Sequence, residues 1–263
     1  MKSSSANQPI TMMVEAVVKL KKMKNLLLIT SLILGFGFSK IESKKIISQD
    51  KGIHSNWNIL LQKYVDKNGT VNYRSWEKNQ SALDNYIKLL ERKPPAPYFD
   101  KNDSLAYFIN AYNAITVKLI LDNYPVESIR DIKDPWDSVF LKLPTGNLTL
   151  NDIEHKILRK IDEPRIHFAI NCASASCPQL FNEAFRASKI PKQLETATAL
   201  FINDTTKNQI EYNKINLSRI FLWFSKDFGS KKERITFIQK YSYKEFDNQA
   251  EITYKKYDWS LNE

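Results

Sequence analysis

The stretch DSLAYFINAYNAITVKLILDNYP, residues 103–125, constrains the fold more than any other part of the chain. Leu105, Phe108, Ile109, Tyr112, Ile115, Leu119 and Ile120 recur at helical spacing, and most positions between them are apolar too. A helix with no face suited to water belongs in the middle of a domain. Asp103 is placed to cap its start and Pro125 follows its end. Asn110 and Asn113 sit within it at i and i+3, where their side chains are neighbours and each amide needs partners. They are expected either to form a structural network that orients a nearby loop or to position a substrate or catalytic group.

The elements around that helix follow from the same patterning. Ser55 to Val65 reads as a short amphipathic helix stopped by the turn Asp66-Lys67-Asn68-Gly69, with a short strand from Thr70 to Tyr73. Calcium is not expected in the turn, because its glycine falls at the wrong loop position for a calcium-binding loop. Gln80 to Arg92 carries a second helical stripe, broken by KPPAP. Leu148 to Ile161 is helical by period, and Arg165 to Asn171 alternates briefly and reads as a buried strand. Helices at Pro191–Ile202, Ser218–Phe228 (capped by Ser218) and Glu233–Tyr241 are expected, with strands at Ile210–Leu217 and Glu251–Tyr257. Helices outnumber strands, and no repeat or linker divides the chain. The expectation is one mixed α/β (α+β) domain, helix-rich around a small sheet, spanning residues 50–263.

The first forty residues speak to location. After Lys19, Lys21, Lys22 and Lys24, the uncharged run Leu26–Phe38 is thirteen residues long, whereas a helix crossing a bilayer needs about 20. This is the profile of a signal peptide, residues 23–40, with Met23 as the expected start and residues 1–22 as an upstream extension. The expectation is an exported protein, periplasmic or secreted, or membrane-associated through this segment alone if it is not cleaved. The formal charge of +10 falls to about +5 without residues 1–40, which hold six lysines and one glutamate. The remaining Lys and Arg alternate with acids, so nucleic acid is not an expected partner.

Two features carry chemistry. Glu154 falls inside the apolar stripe Leu150, Ile153, Ile157, Leu158 and Ile161, which makes it buried or cleft-lining, a hydrogen-bond hub or an acid/base. His155 lies at the edge of that stripe. The segment HFAINCASASCPQL holds the chain's two cysteines, Cys172 and Cys177. Strand alternation would place His167, Ala169 and Asn171 on one face. Three readings of the cysteines stand: a disulfide, natural in an oxidising compartment; a thiolate nucleophile at Cys172 served by His167, His155 and Glu154; and a metal site. The wide cysteine spacing and the lack of a second pair disfavour the metal, so no metal or cofactor is expected.

AYFINAYNAITVKLIL, DPWD, LTLNDIEHKILR, EPRIHFAINCASASCPQL and the terminal YDWSLN, in that order from about residue 57 to 263, resemble the domain of unknown function 547 family. The resemblance implies a single α/β domain. It also marks Asn110, Asn113, Asp137, Glu154, His167, Cys172, Cys177, Asp258 and Trp259. In that family glycine usually follows the first cysteine, and here Ala173 stands in its place. If the position needs a positive φ, alanine fits it less easily.

The combined expectation is thiol-dependent acyl chemistry, hydrolysis or transfer, on a small-molecule or peptide substrate. Cys172 would attack, His167 or His155 would take the proton, Glu154 would orient the base and Asn110 or backbone amides would stabilise the oxyanion. Asn113, Trp136, Asp137, Asn171, Ser176, Asp258 and Trp259 would bind substrate. The alternative is a binding or interaction module in which Cys172 and Cys177 are bridged.

Overall fold

A computed structural model describes residues 50–138 and 141–263, so the expected signal peptide (residues 23–40) and the expected upstream extension (residues 1–22) lie outside the described residues. Helices α1 (Asp50–Ile53), α2 (Ser55–Tyr64), α3 (Tyr73–Glu77) and α4 (Ser81–Arg92) precede the long helix α5 (Lys101–Asn123). The expected burial of α5 is met: every residue from Ser104 to Val117 is buried, as are Leu119, Ile120 and Leu121. By length and composition α5 could cross a membrane, yet 94% of its most apolar window is buried inside the fold, as in a core helix. Its cap is Asp100 rather than Asp103. Asp100 accepts from the Asn102 and Asp103 N–H groups, and Asp103 returns the bond to the Asp100 N–H at 3.2 Å. Fully burying a side chain such as Ile109 contributes about 1.5–3 kcal/mol, so α5 is the mainstay of the core.

On one side of α5, Trp57 stacks on Tyr86, and Trp76 on Tyr64, closing α2, α3 and α4 into an aromatic layer. Residues 70–73 form no strand. Val71 makes one bridge to Val65, and Asn72 then caps α3 by accepting from the Ser75 N–H.

On the other side the backbone departs from the sequence pattern in an instructive way. The hairpin β1 (Leu141–Leu143) and β2 (Gly146–Leu148) takes Leu148 out of the expected helix. The helical run begins at Leu150, then widens to a π-helix at Asp152–Ile157 and tightens to a 3-10 turn at Leu158–Ile161. Arg165 to Asn171 is not a strand: Pro164–Phe168 is a 3-10 helix with proline at its start, and Ile166 to Asn171 are buried without alternation. The reason is Asn113. Its Nδ2 donates to the Ala169 carbonyl and its Oδ1 accepts from the Asn171 N–H, so one side chain supplies what a neighbouring strand would have supplied.

Helix α6 (Ile190–Asn203) leads to β3 (Gln209–Ile210) and β4 (Lys214–Leu217), two antiparallel strands where one was expected. The exposed Tyr212 and Asn213 make the turn between them. The expected helix 218–228 is two short pieces, α7 (Ile220–Trp223) and a 3-10 turn Ser225–Phe228, with the Ser218 hydroxyl accepting from the Ile220 N–H at 3.4 Å. Helix α8 (Lys231–Tyr241) starts two residues earlier than expected, capped by Ser230, and β5 (Glu251–Tyr254) pairs parallel to β4. After β5 the chain returns across the cysteine loop. The Ala175 N–H donates to the Ser260 carbonyl at 2.7 Å, and the Asn262 N–H to Ala173 at 3.2 Å. The result is one mixed α/β domain around a single core.

Candidate functional site

Cys172 and Cys177 are joined by a disulfide. Asn171 braces the loop that carries them, accepting from the Ala173 N–H and donating to the Pro178 carbonyl, both at 2.7 Å. Ala173, where the resemblance implied glycine, is wholly buried at φ +58°, so the position lies in the left-handed region. The Tyr257 hydroxyl lies 3.2 Å from Cys177 Sγ and Ser174 Oγ, and 3.4 Å from Cys172 Sγ. With both sulfurs bonded to each other, neither is a thiolate in this state, and the nucleophilic role expected of Cys172 has no free sulfur to perform it.

The disulfide forms part of the wall of a cleft of about 190 Å³. Trp136, Trp223, Tyr257 and Trp259 form an aromatic side, with ring centroids of Tyr257 and Trp259 4.6 Å apart and those of Trp223 and Tyr257 4.8 Å apart. Glu154, His155, His167 and Tyr112 supply the polar groups. The π-helix brings Glu154 there, on a turn whose widened spacing often marks functional sites.

Glu154 is 7% exposed and His167 2%. Burial raises the Glu154 carboxyl from its usual 4.5 to about 7, against the opposing pull of the Tyr112 hydroxyl, which donates to Oε2 at 3.4 Å, and of Arg159. Tyr112 itself is held well above the ordinary phenol range, by burial first and then by Glu154, and stays a donor. Burial opposes ionisation of Asp227, but hydrogen bonds from Arg159 and then from His167 outweigh it and keep that carboxylate well below its usual range. Arg159 grips it with Nε at 2.6 Å and Nη2 at 2.7 Å.

This ionised Asp227 decides the state of His167. A carboxylate only accepts, so His167 Nε2, 2.8 Å away, carries the hydrogen, and in the neutral ring Nδ1 presents a lone pair. Burial lowers the His167 pKa and so favours that neutral ring. Nδ1 is buried, has no hydrogen-bond partner among the described residues, and faces Glu154 Oε1 at 4.0 Å. His155 is half-buried; its Nδ1 lies 2.9 Å from Arg159 Nη1, and burial and then Arg159 lower its pKa.

Of the residues singled out from sequence, Glu154, His155, His167, Cys172, Cys177, Trp136 and Trp259 meet at the cleft. Asn110 does not. Its Nδ2 donates to Ala106 and Phe185 carbonyls and its Oδ1 accepts from the Phe185 N–H, which leaves no donor for an oxyanion. Asn113 and Asn171 are equally committed to backbone groups. Ser176 and Asp258 bond one another at the surface, and Asp137 accepts from Asn151 Nδ2 at 2.9 Å on both oxygens. Sequence reading missed Tyr112, Arg159, Trp223, Asp227 and Tyr257. Arg159 had a local signal, four residues after His155 and therefore on its side of a helix. Asp227 had none, since its partners lie 60 and 68 positions away.

Residues 98–202 match the model of a family described as protein of unknown function, DUF547. That span covers α5, the π-helix, the cysteine loop and α6, while Trp223, Asp227, Tyr257 and Trp259 come from beyond it. Comparisons with curated proteins and with solved structures return no match.

Proposed function

Taking this chain as a DUF547-family protein through residues 98–202, we propose that it is a binding module that holds a small, largely apolar ligand in the aromatic cleft, with the Cys172–Cys177 disulfide as a structural brace. The observation that carries this reading is the pairing of two buried polar groups, Glu154 and His167, at the floor of a cleft whose sides are rings. Leaving an acceptor such as His167 Nδ1 buried and unpaired costs about 1–3 kcal/mol, which a ligand's donor would offset. The volume of about 190 Å³ lies below the roughly 300–1,000 Å³ of drug-sized sites and suits a ligand of one ring or a short chain. A fragment screen by NMR, following the indole N–H signals of Trp136, Trp223 and Trp259, tests it. Hits that shift these three signals support the reading, and a screen in which no fragment moves them rejects it.

The thiol-dependent reading keeps one specific support, that Cys172 shares the cleft with the oriented His167–Asp227 pair. It requires an external dithiol to reduce the disulfide. His167 Nδ1 would then take the Cys172 thiol proton, the thiolate would add to a substrate carbonyl, and the leaving group would depart with that proton. Maleimide labelling separates the two readings. Fast labelling of Cys172 near neutral pH after mild reduction, with ester cleavage appearing together with it, favours the enzyme. Cleft binding unchanged in Cys172→Ser, without any turnover, favours the module.

The disulfide and the leader-like segment 23–40 together support an exported setting. Amino-terminal sequencing of the protein from the exporting cell checks this; a chain beginning near residue 41 is the expected result.

A further inference from the structure

The polar floor of the cleft specifies what its ligand must offer. Ionised Glu154 is acceptor-only, and His167 Nδ1 is an acceptor because Asp227 holds the proton on Nε2. When Glu154 is ionised, its Oε1 and the unpartnered His167 Nδ1 are two acceptors 4.0 Å apart with no hydrogen between them. A single nitrogen bearing more than one N–H can donate to both. A hydroxyl, with one O–H, can satisfy only one of them.

The walls select for charge. Trp223, Tyr257 and Trp259 pack into a continuous aromatic side, and ring faces carry negative potential that attracts cations. Rings of this wall already take cations, with the Arg219 guanidinium 5.9 Å from the Trp223 ring centre and that of Arg130 5.5 Å from the Trp259 centre. Arg159, the cation nearest the floor, is neutralised by its two bonds to Asp227.

Resting on the binding reading above, we propose that the cleft's ligand carries a primary ammonium head, which bridges Glu154 Oε1 and His167 Nδ1 while its apolar body lies against Trp223, Tyr257 and Trp259. The ammonium supplies the charge that lets Glu154 ionise in place, and its third N–H remains for water at the mouth or for a neighbouring group. The groups facing Glu154 are Tyr112 from α5, Arg159 from its own helical run, His167 from the 3-10 segment, Asp227 from the turn after α7, and Tyr257 from the carboxy-terminal return. His155, from the same helical run, also lines the cleft and acts on His167, its own pKa lowered by burial and then by Arg159. Glu154, raised by burial to about 7, takes up a proton as pH falls through that value, and protonation of Glu154 or of His167 removes an acceptor.

Three probes on the full chain test this by calorimetry and tryptophan fluorescence: 2-phenylethylamine, its neutral isostere 2-phenylethanol, and the N,N,N-trimethylated amine. The primary amine is expected to bind at least tenfold more tightly at pH 8 than either of the others, and to weaken at least tenfold by pH 5 while the alcohol does not. In Glu154→Gln, which keeps the shape of the side chain, the advantage of the amine over the alcohol disappears. Equal or tighter binding of the alcohol to the wild-type protein overturns the ammonium head. Equal binding of the trimethylated amine overturns the bridge. In both cases the cleft still binds, so the wider reading survives. A fragment screen with hits in the cleft but none from the amine rejects this inference alone, whereas a cleft that takes no fragment rejects both.

Discussion

Asn110 and Asn113 on α5 contrast with Glu154 and His167, which lie on segments bonded to that helix through Tyr112 and Asn113. All four are polar side chains buried in a core of aromatic and aliphatic residues. The asparagines have both their donors and acceptors occupied by backbone groups of distant segments, Phe185 in one case and Ala169 with Asn171 in the other. Glu154 and His167 instead face each other at 4.0 Å, one with its pKa raised by burial and the other with a buried, unpartnered Nδ1. Burial of a polar group therefore does not distinguish architecture from function. The distinction lies in whether its hydrogen-bonding capacity is already spent.

The contrast breaks most visibly at Asn113. Asn113→Leu leaves the Ala169 carbonyl and the Asn171 N–H without partners inside the core, and should destabilise the domain by about 2–4 kcal/mol in urea unfolding. A loss below about 1 kcal/mol would mean that the amide is replaceable and the comparison misplaced.

Glu154→Gln should do the opposite. Glu154 titrates near 7 when folded against a usual 4.5, so between those values the folded chain binds more protons than the unfolded one. The strain of ionising it thus grows as pH rises through that window and is fully present above 7. The Gln amide can donate toward His167 Nδ1, so at pH 8 the variant should exceed wild type by about 2–3 kcal/mol, converging on it near pH 5. Thermal unfolding across that range measures the difference, and curves that run parallel would show that Glu154 is not held in this way. A residue kept at such a cost to stability is the pattern of a binding site rather than of a core.

Removing the disulfide in Cys172→Ser/Cys177→Ser relaxes a short loop, whose closure is worth about 2 kcal/mol in the chain-entropy account. Chemical unfolding of the double variant against the oxidised protein reads this loss. The Asn171 brace should keep the loop's place in the fold, so the cleft should still bind fragments. The smallest effect is expected at Ala173→Gly. Relief of the left-handed strain, about 1–2 kcal/mol, is offset by a more flexible unfolded chain and by the loss of a buried methyl worth about 0.8 kcal/mol. A melting curve within about 1 kcal/mol of wild type is the expected result, and a large loss would show that the methyl's packing outweighs the backbone.

What could be read in the sequence followed from local periodicity. The all-round apolarity of residues 103–125 was enough to place α5 at the centre, and the position of Glu154 within an apolar stripe was enough to bury it. Departures arose wherever a distant partner overrode the local pattern. Residues 165–171 carry the alternation of a strand, but Pro164 starts a 3-10 turn and Asn113, more than fifty positions earlier, takes over their backbone bonds. The run 210–217 is apolar enough for one strand, but Tyr212 and Asn213 have nothing to bury against and form a turn.

The sequence by itself determined the central helix, the helix-rich mixed class, the proximity in sequence of two cysteines, and a buried glutamate, because each rests on spacing along one segment. Only the tertiary structure decided that the cysteines are bonded, that Asp227 sets the tautomer of His167, and that the rings of Trp136, Trp223, Tyr257 and Trp259 share one wall. A hydrogen bond's direction and a cleft's lining depend on which atoms face each other in space. In this protein the cleft-lining atoms come from six separate stretches of chain, and no periodicity records their meeting.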